Sequence, residues 1–155
     1  MIDTPDVASQ VAALPFHWDM NGKLRILMIT SRDRGRWVMP KGWLMNGKHP
    51  WQAAKIEALE EAGAIGFVLD QPIGTYRYEK RLRRGRVALC RVNVYPMLVD
   101  RLNSHWKEQK ERNRHWFSVE KSAKLVDEPE LSELLRRLAV NPERILELEE
   151  FRSAA

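Results

Sequence analysis

Cysteine is almost missing from this chain. Cys90 is the only one in 155 residues, so no internal disulfide can staple the fold, and a reducing cytoplasm is the expected compartment. No apolar run approaches the ~20 residues that a membrane-spanning helix needs. The segment Met1 to Asp6 carries two acids and no base, so it lacks the basic start of a secretory signal and none is expected. Repeats and low-complexity tracts are absent, and no linker divides the chain. One domain is therefore expected over residues 1–155, with a core at about 9–140 and a last helix at about 142–151. The histidines His17, His105 and His115 show no ligand spacing and are assigned no metal.

The residues present are those of an ordinary globular domain. With 44% hydrophobic and 30% charged residues, a chain of this length can bury roughly two-thirds of its unfolded surface. Ser9 to Trp18 reads as a strand. Asn21-Gly22 marks a hairpin turn, and Leu24 to Thr30 reads as the return strand. Trp37 to Met39 is a short extended piece stopped by Pro40, and Pro40 to His49 reads as a loop. Pro50 suits the first turn of a helix and Gly63 the position just past its end. Ile65 to Val68, Ile73 to Glu79, Val87 to Val99 and Trp116-Phe117 read as strands, with a turn at Arg84-Gly85. Asp127 with Glu130 resembles a capping box opening a helix through Leu138. Asn141-Pro142 opens another helix through Phe151. Strands first, one central helix, more strands and then helices make an α+β pattern.

The central helix carries the strongest chemical signal. Glu57, Glu60 and Glu61 are spaced by three and four residues, so they share one face with Cβ atoms ~5–6 Å apart. At an effective dielectric near 20, two such carboxylates repel by about 3 kcal/mol. No basic residue lies three or four positions from any of them. Glu60 and Glu61 also stand in the last turn, where the helix dipole disfavours negative charge by ~0.3–1 kcal/mol each. Two readings follow: a merely solvated acidic face, or a site whose cation comes from outside the helix. Hard oxygen donors with positions left for water or phosphate suit Mg²⁺ or Mn²⁺.

The positive charge is segregated too. The formal net charge is +5, from 26 basic and 21 acidic residues. Lys80, Arg81, Arg83, Arg84 and Arg86 fall within seven consecutive positions. Arg32, Arg34 and Arg36 alternate in another stretch, close to Lys41. Arginine's planar fork suits bidentate phosphate contacts, so Arg32, Arg34, Arg36, Lys41, Arg83, Arg84 and Arg86 are candidate phosphate-binding residues. The alternative for the 80–86 cluster is an exposed turn whose charges serve solubility. Trp37, Trp51 and Trp116 read as core anchors, Trp43 as a ring facing a ligand, and Cys90 as buried filler.

Gly42, Glu57, Glu60, Glu61 and Gly63 resemble the Nudix box, G-x5-E-x7-R-E-U-x-E-E-x-G-U, at full spacing without insertion. The similarity runs from about Val11 to Leu138. The segments Ser31 to Pro40 and Arg114 to Phe117 are similar to the branch containing diphosphoinositol polyphosphate phosphohydrolases and diadenosine polyphosphate hydrolases. The resemblance implies an α/β/α sandwich with a mixed central sheet. It also implies Mg²⁺- or Mn²⁺-dependent hydrolysis of a phosphoanhydride in a nucleoside or inositol diphosphate-linked substrate. In that family's terms Glu57 and Glu61 hold metal, Glu60 assists as a further ligand and catalytic residue, and the Gly42 carbonyl is another ligand. Glu57 polarises the attacking water, and a later acid, Glu108 or Glu111, joins them. Two box positions depart: Lys48 stands for the usual Glu and Ile56 for the usual Arg, so a charge pair that braces loop against helix is replaced as a unit. The implied partner is a small phosphorylated molecule. No nucleic-acid-binding module signature is present. A ligand-binding or regulatory module of the same fold, without turnover, is the alternative.

Overall fold

The computed structural model describes residues 7–154, and for 149–154 the backbone alone. The strands are β1 Val7–Trp18, β2 Leu24–Thr30, β3 Trp37–Val38, β4 Lys41–Trp43, β5 Ala64–Val68, β6 Gly74–Arg81, β7 Val87–Leu102 and β8 Arg114–Ser118. The helices are α1 Pro50–Ala62, α2 Val119–Leu125, α3 Pro129–Val140 and α4 Glu143–Ala154. The strands form one sheet, with β3-β2-β1-β7-β5 as its main path. β1 and β7 run parallel, and the remaining pairs are antiparallel.

Alternation along the strands sends side chains to two separate cores. Ala12, Leu14 and Phe16 of β1, Ile26 and Met28 of β2, and Val92 and Val94 of β7 face one side, where Val119, Leu131, Leu135 and Ile145 cover them. Val11, Ala13, Leu27, Ile29, Tyr95 and Met97 face the other, against α1. The face that α1 presents is built of Ala53, Ala54, Ala58 and Ala62, short side chains that let the helix lie close to the sheet. The result is the expected α/β/α sandwich on a mixed sheet. Cys90 is buried in it, and Trp37, Trp51 and Trp116 are partly buried against the two cores.

The β1–β2 turn holds Gly22 at φ +74°, and the Asp19 carboxylate accepts the backbone N–H of Asn21 and of Lys23, both at 2.9 Å. α1 begins and ends where Pro50 and Gly63 place its limits, with Gly63 left-handed at φ +64°. His49 is its N-cap residue, and its N–H donates to the Gln52 side chain at 2.8 Å.

Three expectations need correction. The stretch after Pro40 is not all loop: β4 pairs with β1, Val11 opposite Gly42, a strand too short to show a periodicity. Helix α2 is an added element, capped by Ser118 Oγ accepting from Lys121 N–H. Asp127 does not open α3. Glu128 is the N-cap residue without a side-chain cap, its carboxylate accepting from Arg36 instead, and the Glu130 carboxylate accepts the backbone N–H of Arg77 at 3.0 Å.

Candidate active site

Four backbone carbonyls at the end of α1 find partners in the segment between β7 and β8, or at its edges. Glu108 N–H donates to Glu60 O (3.1 Å) and Asn103 N–H to Gly63 O (2.8 Å). Trp106 Nε1 donates to Glu61 O (3.0 Å) and Arg114 Nη1 to Ala62 O (2.8 Å). The Arg114 guanidinium also lies 3.9 Å from the centre of the Trp106 ring system. This clasp satisfies a helix terminus that would otherwise be orphaned, and it carries Glu108 and Arg112 to the acidic face.

Glu57 and Glu61 stand together there. A Cβ placed on Gly42 would overlap Glu57 Oε1 and lie 2.6 Å from its Cδ. β4 therefore approaches α1 closely because residue 42 has no side chain. Glu61 is buried. Burial, and then its hydrogen bond with Glu57, push its carboxyl up to about 8. Burial raises Glu57 as well, with Glu60 and Glu108 adding to it. Raised proton affinity on both acids is the expected response of two carboxylates that cannot comfortably ionise together.

The other acids are placed differently. Glu60 turns to Lys107, 3.5 Å away, and does not line the cleft that Glu57 and Glu61 floor. Glu108, not Glu111, reaches the centre: Glu108 lines that cleft, while Glu111 sits half-exposed at 3.6 Å from Arg32. Arg112 is the residue that sequence reasoning missed. Its buried guanidinium lies 3.4 Å from Glu61 Oε1 and 3.0 Å from Glu108 Oε1. No helical spacing could reveal it. The one signal was the demand of uncompensated acids for a distant cation.

The cleft has a volume of about 640 Å³ and gathers Arg32, Arg34, Arg36, Lys41, Gly42, Glu57 and Glu61. Arg36 is engaged by Glu128 at 2.9 Å and Asp127 at 3.7 Å, so its charge is largely spent within the fold. Arg32 is shared by Glu108 and Glu111. Lys41 lies over the Tyr78 ring at 5.1 Å, and burial pulls its ammonium below the ordinary value, against the pull of Glu61. The basic hairpin divides. Lys80 and Arg81 line the cleft, whereas Arg83, Arg84 and Arg86 do not; they sit exposed at the tip beyond it. Trp43 is 47% exposed at the cleft wall, with the Lys80 ammonium 4.8 Å from its ring. Gln10 and Tyr78, also missed, share a 2.6 Å hydrogen bond there. Lys48 is exposed and Ile56 half-buried.

A divalent cation fits this centre. Among the described residues no group of three or more His, Cys, Asp or Glu side chains is placed to hold a metal ion. Two adjacent carboxylates that resist joint ionisation, beside a residue without a side chain, instead make an open site. Mg²⁺ takes one or two carboxylates and fills its remaining positions with water and phosphate.

A mixed sheet between helical layers, with a glutamate pair at the end of α1 under a cation-lined cleft, defines an α/β/α sandwich domain. A model of the Nudix domain matches residues 9–138, and the chain belongs to that family. It is 29% identical over 130 residues to Nudix hydrolase 13, mitochondrial, of Arabidopsis thaliana, covering 78% of this chain and 64% of that protein. It is 30% identical over 117 residues to the human diphosphoinositol polyphosphate phosphohydrolase 3-beta, covering 73% and 67%. The chain spans 54% to 64% of the length of three Arabidopsis relatives that it matches. Among solved structures, the C. elegans Ap4A hydrolase superposes with a TM-score of 0.62 at 20% identity, covering 87% of this chain and 98% of that one.

Proposed function

We propose that this chain hydrolyses a phosphoanhydride bond in a small nucleoside or inositol diphosphate-linked substrate, with Mg²⁺ or Mn²⁺ as cofactor. The observation that carries the reading is the Glu57–Glu61 pair on the floor of a cleft walled by Arg34, Lys41, Lys80 and Arg81. A phosphoanhydride is protected from water by its own negative charge. The basic wall offsets that charge and orients the chain of phosphates. Glu57 and Glu61, with the Gly42 carbonyl by family likeness, would hold the metal. Such a metal would supply charge to offset the phosphate oxygens and would make a water more acidic near neutral pH. Glu57 would accept the proton of the attacking water. The new P–O bond forms as the anhydride P–O bond breaks, and the second phosphate leaves with the pair of electrons. Relatives named for diphosphoinositol polyphosphates and for Ap4A support substrates carrying several phosphates.

A second reading is a module that binds the same ligands without cutting them. Arg112 favours it, because a guanidinium already occupies one side of Glu61 and Glu108. One panel separates the two. Phosphate or nucleotide release is followed with Mg²⁺ and with Mn²⁺ for dinucleoside polyphosphates, inositol pyrophosphates, nucleoside triphosphates, sugar nucleotides and capped RNA ends, while calorimetry measures binding. Turnover of a member of the panel that is lost in Glu57→Gln supports hydrolysis. Binding without release in any member refutes it.

A further inference from the structure

Ile56 leaves the carboxylate helix without the arginine that the family pattern puts beside Glu57, and no basic residue lies three or four positions from any of its glutamates. We infer that Arg112 is the positioning residue of this centre: a built-in counter-cation that sets Glu61 and Glu108 against each other from outside the helix. All three guanidinium nitrogens are used. Nε and Nη2 each lie 3.0 Å from Glu108 Oε1, and Nη2 lies 3.4 Å from Glu61 Oε1. Nη1 donates to the Thr30 carbonyl at 3.0 Å. One side chain thus joins the end of β2, the end of α1 and the segment before β8. Its own placement is secured one residue later, where Asn113 and Thr30 exchange two hydrogen bonds, at 2.8 and 3.0 Å.

The burial makes this more than a surface contact. With only 8% of its side chain exposed, the Arg112 guanidinium is a buried cation whose loss of water is offset by the carboxylates it faces, and removing it would leave those acids buried without a partner. The arrangement also carries the branched Glu108 carboxylate to the cleft, although Glu108 is not on α1. Arg112 supplies orientation and charge balance, and it acts on the reaction through the two acids.

This inference rests on the proposed centre in one respect, the metal, so its test has an arm that needs none. In metal-free full-length protein, Arg112→Met should lower Tm by roughly 5–10 °C. In a Glu108→Gln background the same substitution should lower it by less than half as much. Arg112→Lys, which keeps the charge without the fork, should fall between. A residue that merely straps Thr30 to the loop predicts equal losses in both backgrounds, and that result overturns the inference. In the second arm, Mg²⁺ should raise the Tm of Arg112→Met more than that of the parent, because it meets carboxylates with no other cation. Where Mg²⁺ raises the Tm of the parent, an equal rise in Arg112→Met overturns the inference as well; no rise in either protein counts against the metal and leaves the metal-free cycle to decide on Arg112. If the cycle shows coupling while the parent releases product from no substrate in the panel, the hydrolase reading falls and the Arg112 assignment stands. If the parent turns over substrate while the cycle is additive, the hydrolase reading stands and the Arg112 assignment falls.

Discussion

Removing the charge of Glu61 should stabilise the metal-free protein, and the gain should depend on pH. The carboxyl is raised from 4.5 to about 8 by burial and by its hydrogen bond with Glu57. A group with a raised folded-state pKa contributes its full stability below the unfolded value and loses it as pH rises through the folded one. The parent should therefore weaken between about pH 4.5 and pH 8, with a slope approaching ~1.4 kcal/mol per pH unit. Glu61→Gln keeps a donor for Glu57 and has no proton to lose. Near pH 7 it should exceed the parent by about 2–3 kcal/mol, the linkage sum being discounted for the coupling between the two acids. That corresponds to roughly 4–12 °C in Tm for a domain of this size. Thermal melts in EDTA at half-unit steps from pH 5 to 8.5 measure it, and added Mg²⁺ should recover most of the parent's loss at the alkaline end. The reasoning is refuted if parent stability is flat or rises over this range, or if the Gln variant follows the parent's curve.

Two other outcomes are expected. Gly42→Ala should stay within about 1 kcal/mol of parent stability, because the colliding group is the end of the Glu57 side chain. Activity should drop roughly 10–100-fold as that carboxylate is displaced, which stability and turnover measured on one preparation will show. Among the basic residues, Lys80→Ala with Arg81→Ala should raise KM more than Arg83→Ala with Arg84→Ala. The difference should be greatest for the longest polyphosphate and at low salt, since exposed charges are screened over ~10 Å at 0.1 M. Equal effects of the two pairs would mean that phosphates reach past the cleft to the hairpin tip.

Much was decided locally and so could be read from the order of residues. Pro50 and Gly63 bound α1 because one needs no N–H at a helix start and the other tolerates a left-handed φ. Alternation along β1, β2 and β7 sorts side chains to two faces, and that alone calls for helices on both. The spacing of Glu57 and Glu61 makes them neighbours in any helix. Other features depend on which distant segments meet. β4 is three residues long, and only pairing with β1 makes it a strand and sets Gly42 against Glu57. Glu60 shares the glutamates' sequence pattern but is taken by Lys107, because the loop that caps α1 passes on that side. The hairpin cations looked like one cluster, yet Lys80 and Arg81 line the cleft while the tip of the ribbon carries the others beyond it. Helical neighbours could show that the acids lacked a cation, since such contacts repeat every three or four residues. That the cation is Arg112 was decided by long-range packing, where the segment before β8 folds over the end of α1 and buries a charge beside the carboxylates that need it.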